Sequence, residues 1–192
     1  MTKSNFANRR TKNEDSVTTE LETILKKTNS SEILKAPFNF LSRQSVTSML
    51  TRIDLFKMIE NVNGSIVECG THKCNSTFLY YHLSSIFEPY NYNRKIIGFD
   101  TFHGIKKLSK KDKSSGLNKF SDSNYDLYKK LSKIHDKNRS VGHIEKMELI
   151  KGDATKTIPH YVKNNPQLII SLLYLDFSTY IPTKVALKHL LP

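Results

Sequence analysis

The sequence predicts an α/β fold in which a parallel sheet carries helices on both faces. Short apolar segments alternate with segments of helical periodicity along most of the chain. The segment 65–100 has the strand–helix–strand length that one parallel crossover needs. The predicted strands also end in or beside a carboxylate, and these acids are, in chain order, Glu68, Asp100, Asp153 and Asp176.

Three regions are predicted along the chain. Residues 1–16 lack apolar periodicity and carry basic side chains, which is typical of a disordered tail. Residues 17–62 form an N-terminal helical segment, in which Ser42 is a suitable N-cap for a helix over 43–61. Residues 63–192 contain the alternating strands and helices, and the whole chain is long enough to bury a core.

Within the third region the patterns place each element. Strands are predicted at 65–70, 95–100, 147–151 and 168–175, and helices at 77–88, 123–137, 157–164 and 181–191. The strand at 147–151 alternates between apolar and polar residues, so we expect it near an edge of the sheet. The strand at 168–175 is almost continuously apolar and fits a central strand that is buried on both faces.

Composition excludes several classes of protein. No run of 18 apolar residues exists, so the sequence predicts no transmembrane helix, and the polar N-terminus is not a secretory signal. Cys69 and Cys74 are too few for a zinc site and are expected to be reduced thiols, which favours a cytoplasmic protein. The net charge of +12, from 30 Lys and Arg against 18 Asp and Glu, raises nucleic acid or an anionic substrate as a partner. Because no basic stripe is interleaved with aromatic residues, a solvated basic surface is favoured over a nucleic-acid site.

The acids at the strand ends indicate the kind of ligand. Ligands of open parallel sheets bind outside the carboxyl ends of the strands, where Glu68 and Asp100 would lie side by side. Paired carboxylates suit hydroxyl or amino groups, and the glycine-rich G-x-G-x-x-G loop of a pyrophosphate site is absent. The pattern therefore favours a nucleoside without a pyrophosphate, such as S-adenosylmethionine. The alternative is that Glu68 and Asp100 are only solvated strand ends.

Four segments together resemble the macrocin O-methyltransferase family, and the likeness runs from about Phe38 to Pro192. The segments are 64–70 (GSIVECG), 94–102 (RKIIGFDTF), 151–154 (KGDA) and 174–183 (YLDFSTYIPT). The resemblance implies a Rossmann-like class I methyltransferase sheet and S-adenosylmethionine-dependent O-methylation of a sugar or a sugar-bearing small molecule. It implies cofactor contacts by Glu68, Gly70, Asp100 and Asp153, with Asp100 on the ribose and Asp153 near the adenine. The adjacent residues Thr71, Thr101, Phe102 and Ala154 are assigned to the same site.

The chain departs from the family's pattern at three places. Asp176 matches the family's first magnesium ligand in D-x-D-x-Y, but Ser178 stands where the family has its presumed general base. A serine hydroxyl does not take a proton from a sugar hydroxyl at neutral pH without its own base. Cys74 replaces a glycine before the helix, where a side chain is expected to crowd the cofactor.

The third departure is that the sequence stops before the family's next strand, which carries an acid pair completing the magnesium site. We therefore expect a sheet that lacks the C-terminal strands, an incomplete Mg²⁺ site and little or no turnover. The strand ending at Asp176 is expected to have an open edge, and the protein to be poorly soluble.

The leading hypothesis is an O-methyltransferase whose partner is a sugar or a nucleotide-linked sugar. A non-catalytic cofactor-binding or interaction protein is the second hypothesis, and a nucleic-acid methyltransferase the third, although the sequence has no N-P-P-Y tetrapeptide. The lysine-rich loop at 106–119 is expected to lie over the cleft as a mobile lid, and the alternative is a solvated, mobile insertion. The sequence allows a homo-oligomer without predicting one.

Overall fold

The computed structural model describes residues 12–105, 107–112, 120–121 and 124–191. The chain falls into two compact units, one ending at residue 51 and the other beginning at residue 52. The boundary lies inside a helix that the sequence analysis assigned wholly to the N-terminal segment.

The N-terminal unit consists of short helices. They are α1 (Lys12–Leu25), α2 (Ser30–Lys35), a 3-10 helix (Pro37–Phe40) and the beginning of α3 (Arg43–Ile59). The predicted cap of α3 is confirmed, since the Ser42 hydroxyl oxygen accepts a hydrogen bond from the Ser45 amide at 3.2 Å. Because α1 begins at Lys12, residues 12–16 are helical and do not belong to a tail. The rest of the predicted tail, 1–11, lies outside the described residues.

The second unit contains a four-stranded sheet in which every pairing is parallel. Its strands are β1 (Ser65–Cys69), β2 (Ile96–Asp100), β3 (Met147–Lys151) and β4 (Ile170–Leu175), in the spatial order β3-β2-β1-β4. The helices are α4 (Asn75–Phe87), α5 (Tyr125–Asp136), α6 (Ala154–Asn164) and α7 (Tyr180–Leu190). The predicted α/β fold is confirmed.

Helices cover both faces of the sheet because side chains of a strand alternate between the two faces. On one face, Ile66 packs with Phe56 of α3 and Tyr80 of α4. On the other face, Val67 and Cys69 pack with residues of α6 and α7, including Ile158 and Ala186. The two apolar layers hold the carboxyl ends of the four strands at a common edge.

The position of β4 corrects one prediction. The sequence pattern predicts a central strand, but β4 lies at the edge of the sheet and pairs only with β1 among the described residues. All six of its residues are half-buried, whereas all five residues of β1 are buried. An apolar strand therefore has an open edge, as expected from the resemblance. The edge position predicted for β3 is confirmed.

Two predictions from composition can be compared with the structure. Cys69 and Cys74 are free and buried, and burial raises the pKa of both thiols to about 12, which makes them poor nucleophiles. No helix in the described part of the chain combines the length and apolarity that a membrane crossing requires. The cytoplasmic location stays a prediction.

Candidate functional site

A cavity of about 710 Å³ opens at the carboxyl ends of the strands. Its walls come from the connector after β1, the segments after β2 and β4, and the start of α6. The predicted site residues that line it are Gly70, Asp100, Thr101, Asp153, Ala154, Asp176 and Ser178. Three of the four predicted strand-end acids therefore meet in one cavity.

Asp100 connects two segments of the cavity wall. One carboxylate oxygen accepts the His72 amide at 2.8 Å, and the other accepts the Phe102 amide at 2.7 Å. The side chain thus fixes both the connector after β1 and the turn after β2. A carboxylate has about four lone-pair positions, so Asp100 keeps acceptor capacity for two ligand hydroxyl groups.

The connector after β1 is shaped by residues with positive φ. Gly70 has φ +93°, and a Cβ there would lie 2.9 Å from the backbone carbonyl of Asp176. Only glycine allows the connector to pass so close to the segment after β4. Cys74 has φ +56° and is fully buried in the core beside α4. The Cys74 side chain points into the core and does not line the cavity, and the expected crowding of a cofactor stays a prediction.

Asp153 forms the wall beside α6. It is the N-cap of this helix, and its carboxylate accepts the Thr155 amide at 2.9 Å and the Thr155 hydroxyl at 2.8 Å. Ala154 follows as a small buried residue that lines the cavity. In the segment after β2, the Thr101 hydroxyl donates to the Gly104 carbonyl at 3.1 Å and shapes the turn there.

Glu68, Thr71 and Phe102 were predicted to contact a cofactor but do not line the cavity. Glu68 is fully buried, and its carboxylate accepts hydrogen bonds from the hydroxyls of Ser76 and Thr77 in the first turn of α4. Burial raises the pKa of Glu68 to about 7. Thr71 is a buried residue of the connector after β1, and Phe102 packs against aromatic side chains of α5.

Asp176 and Ser178 follow β4 and are both exposed at the mouth of the cavity. They are the predicted metal ligand and the residue at the position of the presumed base. Among the described residues, no three His, Cys, Asp or Glu side chains converge on a point that suits a metal ion. Mg²⁺ prefers an octahedral set of oxygen ligands, which one carboxylate does not provide, so the described residues do not fit a magnesium site.

The described part of the lysine-rich loop lies along the cavity. Lys107, Leu108, Ser109 and Asp112 line it, and Asp112 accepts the Tyr180 amide at the start of α7 at 2.7 Å. Hydrogen bonds from Ser109 and from this amide hold the pKa of Asp112 below its usual range. The predicted location of the loop over the cleft agrees with these contacts, and its mobility stays a prediction. The predicted loop residues 106 and 113–119 lie outside the described residues.

Sequence reasoning missed several residues of the cavity. His72 lies in the connector after β1, and Phe120 packs edge-on against its ring with the centroids 5.5 Å apart. Phe177, Ile181 and Pro182 add an apolar wall. A histidine two residues after Gly70 was a visible signal, but spacing alone does not show which wall a connector residue faces.

Comparison with known proteins supports a methyltransferase fold. No protein-family model and no curated protein matches the sequence. One solved structure of CalS11, a calicheamicin methyltransferase, matches with a TM-score of 0.87 and 28% identity over 94% of this chain and 74% of that one. The apo structure of CalS11, named as a TDP-rhamnose 3'-O-methyltransferase in calicheamicin biosynthesis, matches with a TM-score of 0.80 and 27% identity over 96% and 74%. The fold is therefore of the methyltransferase type, and the narrower assignment to the macrocin family stays a prediction.

Proposed function

We propose that the protein binds S-adenosylmethionine in this cavity and transfers its methyl group to a hydroxyl of a sugar or of a nucleotide-linked sugar. The observation that carries the proposal is the match to a TDP-rhamnose 3'-O-methyltransferase, combined with a cavity at the strand ends. Ligands of open parallel sheets bind at this edge.

The acceptor groups and the apolar surface of the cavity fit the proposed cofactor. A volume of about 710 Å³ lies within the usual range for small-molecule sites. The free lone pairs of Asp100 suit the two ribose hydroxyls, and Asp153 suits an amino group of the adenine. Ile105, Leu108 and Phe177 offer apolar surface for a ring. Bound there, the cofactor supplies an electrophilic methyl group.

The remaining residues of the wall bear on the acceptor. Lys107 and Lys156 line the cavity and provide positive charge for an anionic group, such as the diphosphate of a nucleotide-linked sugar. The segment 107–112 lies over the same cavity and is bonded to α7 through Asp112, so it would exclude water from a bound acceptor. Holding the acceptor hydroxyl in line with the methyl group is the main contribution that such a cavity makes to the rate.

Calorimetry with S-adenosylhomocysteine tests the cofactor site. We expect binding by the unmodified protein and a Kd about tenfold to hundredfold higher for Asp100→Ala, because a hydrogen bond to a charged group contributes about 1.5–3 kcal/mol. Asp54→Asn, an exposed change on α3, is the matched control and should leave the Kd unchanged. Equal affinity of the Asp100→Ala variant and the unmodified protein would show that Asp100 does not hold the ribose.

Turnover is measured with labelled S-adenosylmethionine and a panel of acceptors that includes TDP-rhamnose, other nucleotide-linked sugars and free sugars. Transfer to the sugar acceptors supports the proposal. Binding of the cofactor product without transfer to any acceptor would instead favour a non-catalytic cofactor-binding protein. Salt-sensitive binding to a DNA duplex without cofactor binding would favour the nucleic-acid alternative.

A further inference from the structure

Methyl transfer to a hydroxyl releases a proton, and Ser178, which stands where the family has its presumed base, does not accept it at neutral pH. Most carboxylates of the cavity already hold protein groups. Asp100 accepts two backbone amides, Asp112 accepts from Ser109 and Tyr180, and Asp153 caps α6. Hydrogen bonds to a carboxylate stabilise its charged form and weaken it as a base.

His72 lies in the same cavity, and in the described part of the chain its ring is not held by hydrogen bonds of this kind. Its Nδ1 atom is buried and has no hydrogen-bond partner among the described residues. The ring packs edge-on against Phe120, at an interplanar angle of 81°, which restricts its rotation. The backbone is fixed as well, because the His72 amide donates to Asp100 and φ is +47°. A non-glycine residue held in this left-handed conformation is costly for folding and is typical of functional sites.

We propose that His72 is the base that takes the proton from the acceptor hydroxyl, an inference that rests on the proposed function. The acceptor oxygen forms a bond to the methyl carbon as that carbon separates from the cofactor's sulfur, which keeps the electron pair. The hydroxyl proton passes to Nε2 of His72, because Nδ1 is buried, and the ring becomes an imidazolium ion that later releases the proton to water. The products are the methyl ether and S-adenosylhomocysteine.

Asp176 is the alternative base, since its carboxylate also lines the cavity. Imidazole is better matched to accepting a proton near neutral pH than an exposed carboxylate, which is a weak base there. His72 therefore gives a different expectation from the low turnover predicted from Ser178 and the incomplete magnesium site. The charged groups that share the cavity with His72, and whose ionisation a pH profile would also report, are Asp100, Lys107, Asp112, Asp153, Lys156 and Asp176.

The first test is the variant His72→Gln, which keeps a polar side chain of similar size but removes the base. We expect kcat to fall by about 10²–10⁴, the usual contribution of a general base, while the calorimetric Kd for S-adenosylhomocysteine stays within about twofold. The matched control is His103→Gln, which changes an exposed histidine after β2 that does not line the cavity and should leave kcat unchanged. An unchanged kcat for His72→Gln would overturn the inference.

The second test does not depend on the activity of a variant. With S-adenosylhomocysteine bound, adding TDP-rhamnose to ¹⁵N-labelled protein should shift the ring nitrogen resonances of His72, which are assigned by their loss in His72→Gln. The midpoint of the ring's titration by NMR should agree with the acidic limb of the pH dependence of kcat/KM. Unshifted ring resonances, or a midpoint more than about one pH unit from the kinetic limb, would rule out His72 as the base.

The outcomes separate this inference from the proposed function. If the unmodified protein binds S-adenosylhomocysteine but methylates no acceptor, the proposed function fails, and the role of His72 fails with it. If the unmodified protein is active and His72→Gln is equally active, only the role of His72 fails.

Discussion

At the scale of single residues, Glu68 shows how an acid near the end of a strand can stabilise the fold. The segment 64–70 predicts a cofactor contact, but the Glu68 carboxylate lies fully buried beneath the first turn of α4. It holds Ser76 and Thr77, and thereby fixes the connector that carries Gly70 and His72. Its effect on a bound cofactor would be indirect, through the shape of that connector.

The raised pKa of Glu68 predicts a pH-dependent stability. Burial raises this pKa from 4.5 to about 7, so the folded protein binds more protons than the unfolded chain between these values. The free energy of unfolding therefore falls as the pH rises from about 4.5 to 7, by at most about 3 kcal/mol from this group. Glu68→Gln has no carboxylate to ionise and should lose this component of the pH dependence.

Urea denaturation at pH 5 and pH 8 measures the effect as the difference in unfolding free energy between the two conditions. The control is Glu145→Gln, which removes an exposed carboxylate next to β3 and should retain the pH dependence of the unmodified protein. If Glu68→Gln kept that dependence in full, Glu68 would not be the titrating group.

At the scale of elements, β4 is the main difference between expectation and structure. Its residues are apolar on both sides, with Ile170 and Leu173 packed against the α6 and α7 layer and Leu172 against the opposite layer. Such a strand fits the interior of a sheet, yet one of its edges has no partner among the described residues. Periodicity shows how apolar the two faces of a strand are, but not which strands lie beside it.

The open edge predicts self-association. Ile169 directly precedes β4 and is 64% exposed. Charged residues at a sheet edge oppose pairing with another chain, so Ile169→Lys should reduce association and leave the fold intact. Light scattering over a concentration series measures the effect. Ile86→Lys, at a 68% exposed isoleucine of α4, is the matched control, and an equal reduction by both variants would assign the association to general apolar surface.

At the scale of the whole molecule, Arg94 connects several chain segments at the end of the sheet opposite the cavity. Its guanidinium donates to the Glu88 carboxylate through two hydrogen bonds of 2.6 Å. It also donates to the Gly64 and Ile59 carbonyls and to the Ser171 hydroxyl. The ends of α3 and α4 and the starts of β1 and β4 therefore depend on one buried side chain that is only 2% exposed.

Arg94→Met should destabilise the protein by about 3–5 kcal/mol, because it leaves the Glu88 carboxylate buried without its partner. The double variant Arg94→Met/Glu88→Gln should lose less unfolding free energy than the sum of the losses in the two single variants. Urea denaturation measures these losses. The control is the exposed ion pair of Lys35 with Glu32, where Lys35→Met should cost less than about 1 kcal/mol. If Lys35→Met cost as much stability as Arg94→Met, the role of Arg94 would be contradicted.

The sequence by itself determined the strands and the helices between them, the parallel α/β architecture and part of the cavity wall. Apolar periodicity identified the four strands and the helices between them, because burial of one face or both faces leaves a local pattern. Strand-end positions identified Asp100, Asp153 and Asp176, because parallel strands bring their carboxyl ends to one edge. Ser42 was recognised as a helix cap because capping is a local interaction.

Only the tertiary structure decided the order of the strands and the direction of individual side chains. Glu68 lies one residue before the end of β1, opposite Gly98, and points beneath α4, whereas Asp100 is the last residue of β2 and lines the cavity. Cys74 points into the core, whereas His72, two residues earlier in the same connector, lines the cavity. These directions depend on positive φ values and on contacts between segments that are distant in sequence, which a local pattern does not record.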